Sequence, residues 1–294
     1  MELPAGHYGS GVRDTTTQER IPAFRLDPGH LGELAAAHRP AYAGARPFPH
    51  AVIDDFLPGW VCDAVLAEFP APGDIPWSEY HDAGNTLKLA TDSPALMGPF
   101  TRSVFGELNG AAMLDFLEAL TGIEGLIPDP HLAGGGLHQI ESGGYLNVHA
   151  DFNLHPRLRL DRRLNLLLYL NHDWTEADGG HLELWSAERG ECERRVLPVF
   201  NRCVVFNTTD MSLHGHPQPL AVQPPRTRKS LALYYYSAGR PARERSAEHS
   251  TLYRGSDPAR RRAPLRRLVL CLLPPVAADA IRAVRRRRAR EVRR

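Results

Sequence analysis

The chain has 294 residues, of which 43% are hydrophobic and 23% charged, a composition typical of a globular protein that excludes disorder throughout. No segment approaches the roughly 18 consecutive apolar residues that span a bilayer, so we do not expect an integral membrane protein. The first residues contain no apolar segment behind a basic start, so no signal peptide is predicted and a cytoplasmic location is expected. The four cysteines have no CxxC spacing, which favours neither a zinc ribbon nor a disulfide scaffold.

The net charge of +1 is distributed unevenly along the chain. Residues 260–294 contain 13 Arg and two acidic residues, so this tail carries +11 and the remaining residues carry −10. Such a tail could contact an anionic membrane surface or a phosphate-rich partner. Because no aromatic residues alternate with the arginines, nothing indicates a nucleic-acid platform, and a solvated basic helix is the simpler interpretation.

The N-terminal part of the chain predicts a loose arm followed by helices. Residues 1–46 are rich in Gly, Pro, Thr and Arg and are expected to form a loosely ordered arm with one helix near residues 31–38. The folded body then begins with a short strand at residues 50–54 and a helix that opens at Pro58. A further helix is predicted to end at Gly122. Its apolar positions are Val104, Leu108, Phe116, Leu117 and Leu120.

From about residue 126 the pattern changes to short β-rich segments separated by turn residues, which predicts an antiparallel double sheet supported on one face by the preceding helices. The segment 164–170 is almost entirely apolar and is therefore expected to be a central strand. The predicted strands cover residues 136–141, 145–149, 164–170, 181–185, 194–199, 202–206 and 229–237. After residue 240 we expect an Arg-rich extension with helices at residues 263–272 and from 276 onwards.

His149 and Asp151 are the first candidates for a metal site. Alternate residues of an extended chain point to the same side, so both side chains could reach one ion. A second imidazole would complete two histidines and one carboxylate, the ligand set of non-haem Fe(II). The candidates are His214 and His216, which flank Gly215, a residue that permits close approach of the chain. We interpret the other histidines as surface or core residues, namely His131, His138, His155, His172 and His181.

Arg228 heads the predicted strand 229–237 and is the candidate anchor for a carboxylate. A guanidinium can bind a carboxylate through two parallel hydrogen bonds, which a lysine ammonium cannot do. Arg226 and Lys229 are the local alternatives. Arg162 and Arg163 lead another predicted strand and are expected to face solvent.

The ordered set His149-x-Asp151, His214-Gly215 and Arg228-x-Ser230-Leu231 resembles the 2-oxoglutarate- and Fe(II)-dependent dioxygenases, specifically the prolyl-4-hydroxylase-like branch. Further similar segments occur in the family's order. They are residues 47–50, 53–57, 143–152, 163–174, 179–185 and 201–206.

The resemblance implies a mainly β fold with flanking helices, in which a double-stranded β-helix (a cupin-like jelly-roll) binds the metal at its mouth. It divides the chain into an arm (1–46), a dioxygenase domain (47–240) and a C-terminal extension (241–294). Within the domain, residues 47–125 provide helical support and residues 126–240 form the jelly-roll core. The implied cofactor is Fe(II), the co-substrates are 2-oxoglutarate and O2, and ascorbate is a possible additional factor.

The resemblance also implies roles for particular residues. His149, Asp151 and His214 are the implied catalytic metal ligands, with His214 preferred to His216 because the family's ligand precedes the glycine. Arg228 and Tyr169 are the implied partners of the far carboxylate of 2-oxoglutarate. A further family tyrosine shortly before the first metal ligand is not matched, because His138 and Gln139 stand in that region.

The implied reaction is hydroxylation of an unactivated C–H bond, coupled to conversion of 2-oxoglutarate to succinate and CO2. Asp151 favours this outcome, because related halogenases have a small residue at the corresponding position. The expected substrate is an amino acid, a peptidyl residue or a small biosynthetic metabolite. The loops around Asn153, His155, Arg157, Arg159 and Trp174 are either the rim of its pocket or a hydrated surface.

Two alternatives to the hydroxylase belong to other functional classes. One is a non-catalytic jelly-roll protein that retains the fold and binds a metal. The other is a binding protein that acts through its basic tail, whose contacts would weaken steeply with salt. The presence of both the metal ligands and a co-substrate anchor favours the enzyme.

Overall fold

The structure is a computed structural model that describes residues 23–82 and 84–254. The first part of the predicted arm, residues 1–22, lies outside the described residues. The same holds for the helices predicted at residues 263–272 and from 276 onwards.

Helices occupy the N-terminal half of the described chain. They are α1 (Pro28–Tyr42), α2 (Gly59–Ala67), α3 (Pro99–Leu108) and α4 (Ala111–Thr121). The side chain of Asp27 accepts a hydrogen bond of 2.9 Å from the Gly29 backbone N–H, which caps the first turn of α1. The helix expected near residues 31–38 is thus present and longer than predicted. It packs against α4 and buries Leu31 and Ala35.

The single helix predicted to end at Gly122 is in fact two helices, so this prediction was wrong. Gly110 has an extended conformation (φ −83°, ψ 170°) and stands at the N-terminus of α4, so the chain turns between Leu108 and Ala111. The apolar spacing continues across this break, because both helices bury one face against the same core. Gly122 does end α4, in a left-handed conformation with φ 71°.

The strands form one antiparallel sheet that curls into a nearly closed barrel of the jelly-roll type. Their order is β1-β9-β6-β11-β5-β10-β7-β8, and β2, β3, β4 and β12 pair beside this path. The strands are β1 (His50–Ile53), β2 (Ser78–Asp82), β3 (Asn85–Thr91), β4 (Ile127–Pro128), β5 (Gly136–Ala150), β6 (Asp161–Tyr169), β7 (Leu182–Ser186), β8 (Cys192–Val196), β9 (Cys203–Asn207), β10 (Ser212–His216), β11 (Arg228–Ser237) and β12 (Leu252–Tyr253).

The two strands predicted at residues 136–141 and 145–149 are one continuous strand, β5. Its first part pairs with β11 over residues 136–140, and its second part pairs with β10 between Leu146 and His149. Gly143, with φ 79°, lies between the two parts. The glycines that indicated a break in the sequence therefore mark the place where β5 passes from β11 to β10, while β3 pairs with both parts.

Four strand regions were not predicted, namely the β2–β3 hairpin, β4, β10 and β12. β10 consists of Ser212, Leu213, His214, Gly215 and His216, which lack the apolar run by which a strand is recognised. Four of these five residues are nevertheless buried or line the inside of the barrel, because β10 pairs with β5 on one side and with β7 on the other.

β6 is covered on both faces, as predicted for a central strand. Leu164, Leu166 and Leu168 belong to the core between the sheet and the helices. The alternating residues Leu167 and Tyr169 pack with the apolar cluster inside the barrel. Because the strand is pleated, alternate side chains point to opposite faces. One face of β6 packs in the core beneath the helices, and the other carries the candidate site.

The face of β6 that packs in the core beneath the helices allows a prediction about stability. Leu166 is 0% exposed, and we expect Leu166→Ala to lower the free energy of unfolding by about 2–5 kcal/mol, because a cavity is left in the core. Leu158→Ala is the matched control, since Leu158 is 40% exposed and its truncation should change stability by no more than about 0.5 kcal/mol. Urea denaturation measures both values, and equal losses would contradict the assigned core.

The division of the chain into an arm, a domain and an extension stays a prediction. Contacts cross both predicted boundaries, because α1 packs on α4 and β12 pairs with β5. Within the described ranges, no helix has the length and apolarity needed to cross a membrane.

Candidate active site

His149, Asp151 and His214 come together at one end of the barrel. His149 is near the end of β5, Asp151 follows that strand, and His214 pairs with His149 in the neighbouring strand β10. The Nε2 atom of His149 is 3.5 Å from Asp151 Oδ1, and the Nε2 atom of His214 is 3.4 Å from Asp151 Oδ2. One donor atom from each residue lies within 4.8 Å of the others, which is the donor set and the spacing that a divalent metal ion requires.

Backbone carbonyls orient both imidazoles toward this point. His149 Nδ1 is 2.8 Å from the Asn147 carbonyl oxygen, and His214 Nδ1 is 3.0 Å from the Ser212 carbonyl oxygen. A carbonyl only accepts, so each Nδ1 carries the proton and each Nε2 presents its lone pair to the shared position. Burial lowers the pKa of His214 to about 4, so its ring is neutral at neutral pH, as a metal ligand must be.

Close approach of β10 to β5 brings the two imidazoles together. A Cβ atom on Gly215 would lie 2.7 Å from the Leu146 carbonyl oxygen and 2.9 Å from that of Asn147. The expectation that Gly215 permits a tight approach is therefore confirmed. The ring centroids of His149 and His214 are 4.4 Å apart.

Asp151 is held by two side chains of β6. Its Oδ2 accepts hydrogen bonds from Asn165 Nδ2 at 2.7 Å and from Arg162 Nη2 at 3.0 Å. Burial by itself would raise the pKa of Asp151, but the charge of Arg162 and the two imidazoles hold it well below its usual value. The carboxylate is therefore anionic and fixed in orientation before any metal binds.

The prediction that Arg162 faces solvent was wrong. Its side chain is 1% exposed and lies between two aromatic rings, 4.4 Å from the Phe152 centroid and 3.5 Å from that of Tyr234. Such stacking stabilises a buried guanidinium, and its ion pair with Asp151 compensates its charge. Arg163, also expected to face solvent, is largely buried and pairs with Glu244.

A cavity of about 80 Å³ extends inward from the triad. Arg228 lies at its lining and is 6% exposed. The guanidinium Nε donates to the Gly180 carbonyl oxygen at 2.7 Å, and Nη2 donates to the Tyr169 hydroxyl at 3.2 Å. Among the described residues, no carboxylate pairs with Arg228. A buried cation without an anionic partner is unfavourable, so this end of the cavity fits an anionic group of a ligand.

Gly180 makes room for this arginine. Its φ of 67° is a conformation that glycine adopts readily, and a Cβ atom there would lie 2.9 Å from Arg228 Cδ and 2.4 Å from Leu220 Cδ2. The Gly179-Gly180 segment of the family pattern thus lets the backbone contact the arginine directly.

The alternatives to Arg228 lie elsewhere. The side chain of Arg226 is 43% exposed and pairs with Asp178. Lys229 alternates with Arg228 along β11, so its Nζ points away from the cavity and donates to the Thr227 hydroxyl. Of the three cations, Arg228 is the one that lines the cavity.

His216, the alternative to His214 as a metal ligand, lines the same cavity without joining the triad. It is two residues further along β10, so its side chain projects from the same face of the strand as His214. Burial, followed by the charges of Arg228 and Lys88, holds its pKa well below the usual value, so the ring is neutral. The rest of the lining includes Lys88, His138, Ile140, Leu146, Asn165, Leu167, Ser230 and Tyr234.

A second, outer cavity of about 360 Å³ meets the inner one at the triad. Both cavities include His149 and Asp151 in their lining, so the metal position lies at their junction. Aromatic and polar side chains surround the outer cavity. They include Asn85, Lys88, Phe152, Tyr234, Ser250, Thr251 and Tyr253.

The segment 246–254, beyond the predicted end of the domain, forms one wall of the outer cavity. β12 within it pairs with β5, and Tyr253 lies opposite His149 with ring centroids 5.6 Å apart. Asn85 Nδ2 donates to the Tyr253 hydroxyl at 2.5 Å. Asn153 binds the start of the segment through Ser246 and Ala247.

The loop residues considered for the pocket rim have structural contacts instead. Asn153 and Arg159 bind the segment 246–254, His155 is fully buried beside Asp129, and Trp174 packs in a small apolar cluster. Sequence reasoning missed Asn165, although an amide inside an almost wholly apolar strand is a signal of a buried polar contact. It also missed Lys88, one of only two lysines in the chain.

Comparisons with known proteins agree with this geometry. The family model described as the 2OG-Fe(II) oxygenase superfamily matches residues 135–236. No curated protein sequence matches the chain.

Similar solved structures include a prolyl-4-hydroxylase of Pseudomonas putida, which is 20% identical, with 72% of this chain and 100% of that chain covered and a TM-score of 0.47. They also include a prolyl hydroxylase of Trichoplax adhaerens in complex with a peptide fragment of hypoxia inducible factor, at 14% identity, 71% and 91% coverage and a TM-score of 0.48. HygX of Streptomyces hygroscopicus, with nickel, 2-oxoglutarate and hygromycin B bound, is 13% identical, with 69% and 92% coverage and a TM-score of 0.45.

The segment that matches the family model contains the residues that form the site. The matched segment contains the strands that carry His149 and His214, the loop that carries Asp151, and the cavity residue Arg228. The donor set fits Fe(II), and the buried guanidinium of Arg228, which has no carboxylate partner in the described part of the chain, fits an acidic co-substrate. The jelly-roll core, residues 135–236, therefore matches the 2OG-Fe(II) oxygenase superfamily, and its site has the donor set and the cation that a 2-oxoglutarate- and Fe(II)-dependent oxygenase requires.

Proposed function

We propose that the enzyme hydroxylates an unactivated C–H bond of an amino acid, a peptidyl residue or a small biosynthetic metabolite. The observation that carries this proposal is the position of the triad at the junction of two cavities. The inner cavity ends at a buried cation and suits the co-substrate, whereas the outer cavity is larger and suits the molecule to be oxidised.

In this proposal His149, Asp151 and His214 would hold Fe(II), because two imidazoles and one carboxylate are the donors that suit this metal. Arg228 binds the far carboxylate of 2-oxoglutarate, and the Tyr169 hydroxyl supports the guanidinium. Bound Fe(II) supplies the oxidative chemistry by which 2-oxoglutarate and O2 yield succinate and CO2 while a C–H bond is hydroxylated. The protein contributes orientation, since both imidazoles and the carboxylate are fixed by hydrogen bonds before the metal binds.

Asp151 supports hydroxylation rather than halogenation. Halogenases of this family have a small residue at the corresponding position, which leaves a coordination site for halide. Here the carboxylate is present, anionic and held by Asn165 and Arg162. A change of reaction type at this site would therefore require loss of a side chain that Asn165 and Arg162 hold in place.

The outer cavity supports a polar substrate with an apolar portion. Amide and hydroxyl groups alternate there with aromatic rings, which is the usual composition of small-molecule sites. Tyr253 and Asn85 are proposed to contact the substrate, because they lie beside His149 on the outer side. Free proline and a prolyl peptide are the first candidates to test.

The proposal predicts succinate formation that a substrate stimulates. Fe(II)-loaded enzyme is incubated with 2-oxoglutarate, O2 and either free amino acids, prolyl peptides or small metabolites, and succinate and the product mass are measured. We expect one class to raise succinate formation and to gain one oxygen atom. A product that has lost two hydrogen atoms would contradict hydroxylation. Absence of succinate formation under all conditions would favour a non-catalytic protein.

A further inference from the structure

His216 is a buried polar side chain whose two ring nitrogens both lack a hydrogen-bond partner among the described residues. It is 3% exposed and lines the inner cavity. Buried polar groups in proteins are almost always hydrogen-bonded, and leaving one unsatisfied costs about 1–3 kcal/mol. An imidazole in this state, facing a cavity, indicates a ligand that completes its hydrogen bonds.

The position of His216 narrows the choice of ligand. It lies on β10 one side-chain step beyond His214, and Arg228, Lys88 and His149 line the same cavity. His216 therefore shares one small cavity with the triad and the buried guanidinium. A molecule that extended from the metal to Arg228 would pass beside it.

The chemistry of the ring suits a carboxylate. A neutral imidazole offers one N–H donor and one acceptor, and a carboxylate accepts from several donors at once. The hydroxyl of Ser230 lines the same cavity, so an anion bound at Arg228 would find further donors nearby. Hydrogen bonds to a charged acceptor are stronger than neutral ones.

We propose that His216 donates a hydrogen bond to the far carboxylate of 2-oxoglutarate, beside Arg228, and so selects a dicarboxylate as co-substrate. This inference rests on the proposed function, because it assumes that 2-oxoglutarate occupies the inner cavity. It adds a binding residue to the triad, Arg228 and Tyr169, and it explains why a polar side chain is buried at this position without a partner.

The test compares two co-substrates that differ in the far carboxylate. Anaerobic Fe(II)-loaded protein is titrated with 2-oxoglutarate and with 2-oxopentanoate, which has the same 2-oxo acid end but a methyl group in place of that carboxylate. The visible charge-transfer band of the chelate reports binding. In His216→Leu we expect the Kd for 2-oxoglutarate to rise about tenfold, as for loss of a hydrogen bond to a charged group, and that for 2-oxopentanoate to stay unchanged.

Two further variants separate hydrogen bonding from packing. His216→Gln retains an N–H donor and is expected to recover most of the affinity for 2-oxoglutarate. His50→Leu removes another buried imidazole, on β1 and outside the cavity, and should leave both Kd values unchanged. Thermal unfolding and the iron content establish that each variant is folded. If His216→Leu fails to fold, His216→Met provides the same comparison.

The possible outcomes are distinct. If both Kd values in folded His216→Leu stay the same, or rise by the same factor, the role of His216 is overturned. The proposed function remains intact in either case. If wild-type protein that holds iron binds neither 2-oxo acid, the proposed function fails together with this inference.

Discussion

Replacement of His214 by alanine is expected to abolish Fe(II) binding and to lower 2-oxoglutarate turnover by more than about 100-fold. Loss of a residue that hydrogen-bonds a metal ligand lowers metal affinity or activity by up to about 100-fold. Loss of the ligand itself should have a larger effect. His214 contributes one of the two Nε2 atoms that face Asp151, and its Nδ1 is already bound by the Ser212 carbonyl. Another side chain would have to move to replace it.

His216→Ala is the matched control for this prediction. His216 is on the same strand and face, yet it is outside the triad, so its truncation should leave the iron content of the protein close to that of the wild type. Iron content after anaerobic loading and desalting measures both variants. Iron lost in His216→Ala but retained in His214→Ala would reverse the ligand assignment.

Replacement of Arg228 by alanine is expected to weaken 2-oxoglutarate binding by about 30-fold or more, with iron still bound. Truncation of one member of a buried, hydrogen-bonded charge pair costs about 2–5 kcal/mol, and about 1.4 kcal/mol corresponds to a factor of ten. Arg228 meets this condition because it is buried, held by Gly180 and Tyr169, and has no carboxylate partner among the described residues.

Arg226→Ala is the control for the second prediction. This arginine is two residues away, but its side chain is 43% exposed and pairs with Asp178. Arg226 does not line the cavity, so its removal leaves the co-substrate position unchanged. The Kd for 2-oxoglutarate should therefore change only in Arg228→Ala. A larger change in Arg226→Ala would show that the anchor was assigned to the wrong arginine.

The electrostatics of the site show why these two effects should be separable. Asp151 is compensated by Arg162 through a direct ion pair, whereas Arg228, at the inner cavity, has no such partner in the described chain. The Asp151 carboxylate is thus ready to bind a metal cation. The Arg228 guanidinium is ready to bind an anionic group of a ligand. Removal of one should leave the other largely intact, because each has its own hydrogen-bond partners.

Part of the fold was predictable because local sequence patterns reflect local burial. The apolar segment that became β6 is apolar because both of its faces are covered, and Gly122 ends α4 because glycine adopts the left-handed conformation at little cost. The break at Gly110 was missed because the apolar spacing continues through it. β10 was missed because its residues are mostly polar and line the site, so they form no apolar run that would indicate a strand.

The sequence by itself determined which residue types are available for the chemistry, namely two histidines, one carboxylate and an arginine in an order that resembles a known family. It also determined the period-two alternation that produces the sheet. The resemblance favoured His214 over His216, and Arg228 was the candidate anchor beside Arg226. The tertiary structure added the physical distinction, because β10 pairs with β5 at His214 and the side chain of Arg228 is buried at the cavity.

Only the tertiary structure brought Arg162 and Asn165 to the site. Arg162 is separated from Asp151 by a loop, and the sequence pattern of a strand end predicted exposure. Burial of this arginine results from the rings of Phe152 and Tyr234, which come from different segments. Long-range contacts decide where such a side chain lies, because the local backbone is compatible with either orientation and only the surrounding groups stabilise one of them.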